Sequence, residues 1–144
     1  MEALAECQRQ TALRVLEGWG EHTVDGLLRD RTEDCVNSTL PMRLGRGSRS
    51  NNEISSSIAK LSPILDNVKL KVWKIISDPE QHSAAVHATA IGDTPLGVYE
   101  NEHVFFLSFS NDGKKVNCVE EYVDTSYSEA FVKKVKDYQA RKLN

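Results

Sequence analysis

The sequence predicts an α+β domain shaped like a half-open cone, with N-terminal helices packed on a curved antiparallel sheet and a C-terminal helix. Three observations predict it. Apolar residues recur at helical spacing as far as Leu65, the period changes to alternation from Val68, and Asp112-Gly113 stands between two alternating runs as a hairpin signal. Helices bunched before a run of strands leave one sheet face for the helices to cover, and an antiparallel sheet needs only that one face buried.

In the first helix Leu4, Leu13 and Leu16, with the smaller Ala5, Cys7 and Ala12, recur near helical spacing, and Gly18 and Gly20 close the segment beside Trp19. Thr23 caps a short second helix carrying Val24, Leu27 and Leu28, after which Cys35 to Pro41 reads as extended or irregular. Residues 42 to 52 combine Gly, Ser and Arg as a mobile loop does. Ser50 or Asn51 then caps a third helix, with Glu53 in its first turn, Ile54, Ile58, Leu61 and Leu65 on one stripe, and Pro63 bending or ending it. Val68, Leu70 and Val72 open a meander that turns at Asp78-Pro79 and continues in strands at 83–92, 98–110 and 114–124. From Ser126 to about Arg141, Phe131, Val132, Val135 and Tyr138 restore helical spacing, with lysines toward the C-terminal end where the macrodipole favours them.

A chain of 144 residues fits a single domain, 1–144, without linker or repeat. With 40% hydrophobic and 27% charged residues it has the composition of a folded globular protein. A net charge of -3 offers no broad positive field, so no nucleic-acid partner is expected. The three cysteines, Cys7, Cys35 and Cys118, are an odd number without a CxxC pair and read as buried thiols in a reducing compartment. The first residues lack a signal-peptide pattern and no run is long enough to span a bilayer, so a cytoplasmic protein with no membrane partner is expected.

Chemistry concentrates on two strands. One face of 98–110 reads Tyr99, Asn101, His103, Phe105, Leu107, Phe109, running from polar to aromatic. That gradient suits either a concave ligand site with an apolar deep end or a core strand whose polar end lies at a solvated rim. On the next strand Glu121 lies between Val119 and Val123. A carboxylate desolvated there suits proton transfer near neutrality, and the competing reading is an ion pair or a rim position. Glu53 has a ready role in helix capping. Arg43, Arg46 and Arg49 are placed to hold a substrate enolate or carboxylate, or else form a solvated loop. His22 sits in an interhelix loop, and no histidine pair has ligand spacing, so no metal site is expected. Without a GxSxG elbow or a Rossmann glycine fingerprint, the chemistry left open is acid/base work without a cofactor.

The string Tyr99-Glu100-Asn101-Glu102-His103-Val104-Phe105-Phe106-Leu107, the Asp-Gly turn, and Val119-Glu120-Glu121-Tyr122-Val123-Asp124-Thr125 resemble the SnoaL-like branch of the nuclear transport factor 2-like (NTF2-like) superfamily over almost the whole chain. More closely, Asp34-Cys35-Val36, Pro41, Gly45-Arg46, Asn51-Asn52-Glu53 and Glu120-Glu121-Tyr122-Val123-Asp124 with Ser126-Tyr127 resemble small fungal isomerases of meroterpenoid pathways, the terretonin-type ring-rearranging enzymes among them. The resemblance implies an NTF2-like cone, a homodimer, and a polycyclic natural-product substrate handled without metal or organic cofactor. The expected function is an isomerase or rearrangement cyclase; read from the residues together with that resemblance, Glu121 is the general base or acid, His103 its partner and Glu53 an orienting or second acid. Tyr99, Asn101, Asn52 and Arg43 would then bind the substrate. His103 stands where a tyrosine is common, and Arg43 is particular to this chain. A non-catalytic NTF2-like binding or dimerisation module, or a dehydratase on the same cone, is the alternative.

Overall fold

A computed structural model describes residues 2–143. Its elements run α1 (Glu2–Gly20), α2 (Val24–Leu27), β1 (Arg31–Leu40), β2 (Ser48–Ser50), α3 (Asn51–Leu61), β3 (Asp66–Asp78), β4 (Ser83–Thr94), β5 (Gly97–Phe109), β6 (Val116–Val123) and α4 (Thr125–Lys142). In α1, Ala12, Val15, Leu16 and Trp19 fall at i, i+3, i+4 and i+7, one stripe of a 3.6-residue helix. That stripe joins Val86 and Ala88 of β4, Phe105 and Leu107 of β5, and Val119 of β6 in the main core. Burying side chains the size of Phe105, Leu16 and Leu107 contributes roughly 1.5–3 kcal/mol each.

The helix is tied to the sheet by polar contacts as well. Thr11 Oγ1 donates to the Gly113 carbonyl at 2.7 Å, and Gln8 Nε2 lies 3.2 Å from His82 Nδ1. At the other end α1 and α2 meet through two glycines. A Cβ on Gly18 would lie 2.2 Å from the Gly26 carbonyl oxygen, so only glycine allows the approach. This close contact fixes the turn that carries His22.

The sheet has six strands in the order β2-β1-β6-β5-β4-β3. From β3 to β6 it is the antiparallel meander expected, and the alternation of β5 is realised residue by residue: Tyr99, Asn101, His103, Phe105, Leu107 and Phe109 are all buried. The expectation of a wholly antiparallel sheet is corrected at β1, which runs parallel to β6; it spans Arg31–Leu40, so the segment from Cys35 read as extended or irregular is extended, and the strand begins before it. The reason is that its partner lies some 80 residues away and its own alternation is broken. Arg31 faces Val116 whereas Val36 faces Cys118, so β1 carries extra residues in a bulge. With polar residues on both sides of the irregularity, no local pattern announces this strand.

The remaining elements close the cone. Ser50 caps α3 through the Glu53 N–H, Pro63 follows in a 3-10 turn, and Asp124 caps α4 through the Tyr127 N–H. From α4, Tyr127 and Phe131 pack on Tyr99, with ring centroids 5.8 and 4.7 Å away. The Glu100 N–H donates to Tyr127 Oη at 2.9 Å, fixing this helix against the end of β5. No helix among the described residues is long and apolar enough to cross a membrane.

Candidate functional site

A cavity of about 220 Å³ lies between the α1–α2 turn, α3, the start of α4 and the inner face of β1, β5 and β6. Its apolar wall comes from α3, where Ile54, Ile58 and Leu61 share a stripe, and from Trp19, Leu27 and Val123. Its polar wall comes from the strands. Alternation along β5 aims Tyr99, Asn101 and His103 into the cavity, and β6 supplies Glu121.

His103 Nδ1 stands 2.7 Å from Glu121 Oε1, with the histidine side chain 2% and the carboxylate 16% exposed. The two atoms are close without an aligned hydrogen bond, and His103 Nε2 also has no partner among the described residues. The imidazole is held by aromatic packing. It stacks on Phe105 at a centroid distance of 5.4 Å, and Trp19 meets it edge-on at 4.8 Å.

The same Trp19 ring packs against a second buried histidine, His22, at 5.2 Å. Burial brings His22 from the ordinary 6.5 down to about 4; nearby Glu121 works against that shift and nearby His103 adds to it. His22 is therefore a neutral imidazole at neutral pH. Its left-handed backbone, φ 52°, is what turns a loop residue inward.

Tyr99 is also tuned by burial, which pushes its phenol up to about 12 against the help of Asn101. It stays a hydroxyl that can donate. Asn101 is held by the Glu102 N–H, which donates to Oδ1 at 2.9 Å, while its own Nδ2 donates to Tyr99 Oη at 3.4 Å. Because Tyr99 Oη accepts that bond, its proton is free for another acceptor.

Of the residues singled out in the sequence, Glu121, His103, Tyr99 and Asn101 come together in this cavity. Glu53, Asn52 and Arg43 are exposed and do not line it. Glu53 closes a capping box, its Oε1 accepting from the Ser50 N–H. In a helix the residue three before Ile54 shares its inward face, so Asn51 turns in and donates to the Thr32 carbonyl at 2.9 Å, while Asn52 and Glu53 turn away. Arg43 sits on a 3-10 turn, and Gly45 and Gly47, both at φ 66°, reverse the chain so that Arg46 and Arg49 reach the cavity instead.

His22, Asn37 and Thr39 are lining residues that the sequence did not single out. Asn37 and Thr39 lie on the unforeseen β1, and His22 depends on a tight turn between two helices. Among the described residues, no three His, Cys, Asp or Glu side chains gather as a metal site. A carboxylate, neutral donors and an apolar wall together can move a proton on carbon and hold charge on oxygen.

No family model matches the chain. Two curated fungal proteins, each named a monooxygenase, match it along almost their whole length. The protein dmxR10 from Cryptosporiopsis sp. (strain 8999) is 34% identical over 144 residues, covering 99% of this chain and 96% of the relative. AacuP from Aspergillus aculeatus is 34% identical, covering 96% and 95%. Among solved structures, the BvnE pinacolase from Penicillium brevicompactum superposes with a TM-score of 0.86 at 26% identity, covering 92% of this chain and 93% of that one. An NTF2-like protein from Burkholderia pseudomallei superposes at 0.66 with 16% identity over 83% and 92%, a likeness of fold alone.

Proposed function

We propose a function on the premise that this chain belongs to the family of small fungal enzymes that includes dmxR10 and AacuP, built on the SnoaL-like, NTF2-like cone. The function is isomerisation or rearrangement of a polycyclic natural-product intermediate in fungal secondary metabolism. The observation that carries it is the His103–Glu121 contact of 2.7 Å on the inner wall of a cavity that also presents Tyr99, Asn101, Arg46 and Arg49 opposite an apolar face of α3.

In this reading the Glu121 carboxylate takes a proton from carbon next to a carbonyl. The C–H electron pair moves onto the carbonyl oxygen, and Tyr99 and Asn101 support the enolate. The skeleton or double bond shifts, and Glu121 returns its proton to a different atom. Atoms balance without oxidant or reductant. His103 steadies the Glu121 charge, and Arg46 and Arg49 offer cations to an acidic substrate in the place first given to Arg43. Glu53 is proposed to act as the capping-box residue of α3, and Asn52, exposed like it, is not assigned a part in the reaction. This reading needs no cofactor.

A second reading rests on the name the curated relatives carry. The same carbanion can pass its electrons to O₂, keeping one oxygen as a new carbonyl and releasing the other as water, with the substrate supplying the electrons. Turnover under ¹⁸O₂ in D₂O separates the two. The intermediate that accumulates in a strain lacking this protein is the substrate to use. Isomerisation gives a product of the substrate's own atoms without ¹⁸O, with deuterium to the extent that the Glu121 proton exchanges before it is returned; a product carrying ¹⁸O overturns it in favour of oxygenation.

The protein is proposed to work as a homodimer through the outer sheet face. There Ile76, Ala85, Phe106 and Glu120 form one row across the strands, and Trp73, Ile91, Phe106 and Tyr122 are exposed. Lys69 and Lys71 on β3 register through β4 with Glu100 and Glu102 on β5, so a two-fold partner can set lysines against acids.

A further inference from the structure

Beneath the cavity lies a buried cation with no carboxylate in salt-bridge contact, which the Glu121 charge reaches only through space. Arg31 is 6% exposed, its Nε has no partner, and no carboxylate among the described residues forms a salt bridge with it. Its side-chain contacts are Asn37 Oδ1, which accepts from Nη1 at 3.2 Å, and Cys35 Sγ at 3.8 Å. A guanidinium has donors only, so it decides which way the Asn37 amide faces: the oxygen toward Arg31, the NH₂ away from it. Asn37 is itself buried and lines the cavity, and its Nδ2 makes no hydrogen bond among the described residues. Burying a charge without a partner costs several kcal/mol, so a site that keeps one has to gain from its field or from a ligand's charge.

We propose that Asn37, held in register by Arg31, is the donor at the cavity floor for an oxygen anion of the ligand, an enolate or phenolate. This rests on the reading that the cavity is the reaction chamber, not on whether the reaction is isomerisation or oxygenation. Asn37 contacts the ligand and Arg31 is a positioning residue. The Arg31 charge also reaches the floor at short range in a poorly polarisable setting, where it favours the anionic over the neutral form of a ligand.

Binding of 4-nitrophenol, whose phenolate absorbs in the visible, tests the assignment without any turnover. The full chain carrying Glu121→Gln is the parent, because it keeps the cavity and removes a carboxylate that would compete with the probe for charge. The parent should bind the phenolate in preference to the phenol. Asn37→Ala should lose about tenfold or more of the phenolate affinity while keeping its affinity for nitrobenzene, which reports the cavity's shape. Asn37→Asp separates a ligand role from a structural one. Its carboxylate pairs with Arg31 and should hold or raise the melting temperature, yet phenolate binding should fall at least as far as in Asn37→Ala. Arg31→Met, if folded by circular dichroism, should weaken phenolate binding too. The proposal is overturned if the parent binds neither form or both alike, or if either Asn37 variant holds phenolate as the parent does. Turnover by Glu121→Gln judges the reaction separately, so the two failures are distinguishable.

Discussion

His103 and Glu121 touch on the diagonal: His103 stands directly across from Val123 and Glu121 from Phe105, yet their side chains meet at 2.7 Å inside the cavity. Diagonal neighbours on a sheet face are about 7–8 Å apart at the backbone, within reach only of long or ring side chains. An imidazole pinned by Trp19 and Phe105 and a glutamate reaching back along β6 satisfy that geometry, and an aspartate at 121 would not. The candidate chemistry therefore depends on side-chain length and aromatic support as much as on the two titratable groups.

Stability should depend on His22 in acid. The unfolded chain takes up the imidazole proton near 6.5 and the folded chain near 4, so the unfolded state binds more protons between those values and stability rises with pH there. The full contribution is present above about pH 6.5 and is lost as pH falls through 4, by on the order of 3 kcal/mol. Urea unfolding near pH ~7 and pH ~4.5 measures it. His22→Asn, which tolerates the left-handed backbone, should show a smaller loss than the native protein; an equal loss would place the acid sensitivity elsewhere.

The Gly18–Gly26 approach should tolerate no side chain. Gly18→Ala puts a Cβ 2.2 Å from a backbone oxygen that has to move, and overpacking of this kind costs about 1–3 kcal/mol. Because the turn it displaces carries His22, activity should fall together with the thermal midpoint. Unchanged activity in the alanine variant would show that the turn's position does not matter to the cavity.

For α3, capping and catalysis can be told apart at Glu53. Ser50→Ala should lower stability by about 1 kcal/mol, since it leaves the Glu53 N–H without its acceptor. Glu53→Gln keeps an amide oxygen for the Ser50 N–H and should retain both stability and turnover. Loss of turnover alone in Glu53→Gln would return this residue to the reaction.

On the outer sheet face, Phe106→Lys places a charge among the exposed apolar side chains Trp73, Ile76, Ile91 and Tyr122. Sedimentation of the native chain should give a dimer and of the variant a monomer; a native monomer would contradict the proposed assembly.

How much of this could be read in advance varied with locality. The alternation of β5 and the Asp-Gly turn are local signals, and they led directly to Tyr99, Asn101, His103 and Glu121 in one cavity. Ser50 and Glu53 were equally legible as a cap, and the spacing to Ile54 shows why the neighbouring Asn52 and Glu53 face outward. What could not be read depends on distant partners. The parallel pairing of β1 with β6, which brings in Asn37 and Thr39, comes from contacts across some 80 residues and is hidden by a bulge. His22 looked like an ordinary loop residue because its burial comes from Trp19 and from two glycines in contact. Arg46 and Arg49 line the cavity and Arg43 does not, because two left-handed glycines set the direction of a loop whose composition alone gives no direction.

The most direct test of the central claim is turnover of the accumulated pathway intermediate by Glu121→Gln, with circular dichroism to show the native fold. Glutamine keeps the size and the polar contact with His103 and removes the proton-accepting charge. The rate should fall roughly 100-fold or more, in line with the loss of a general base. A folded Glu121→Gln protein that turns over at the native rate would contradict it.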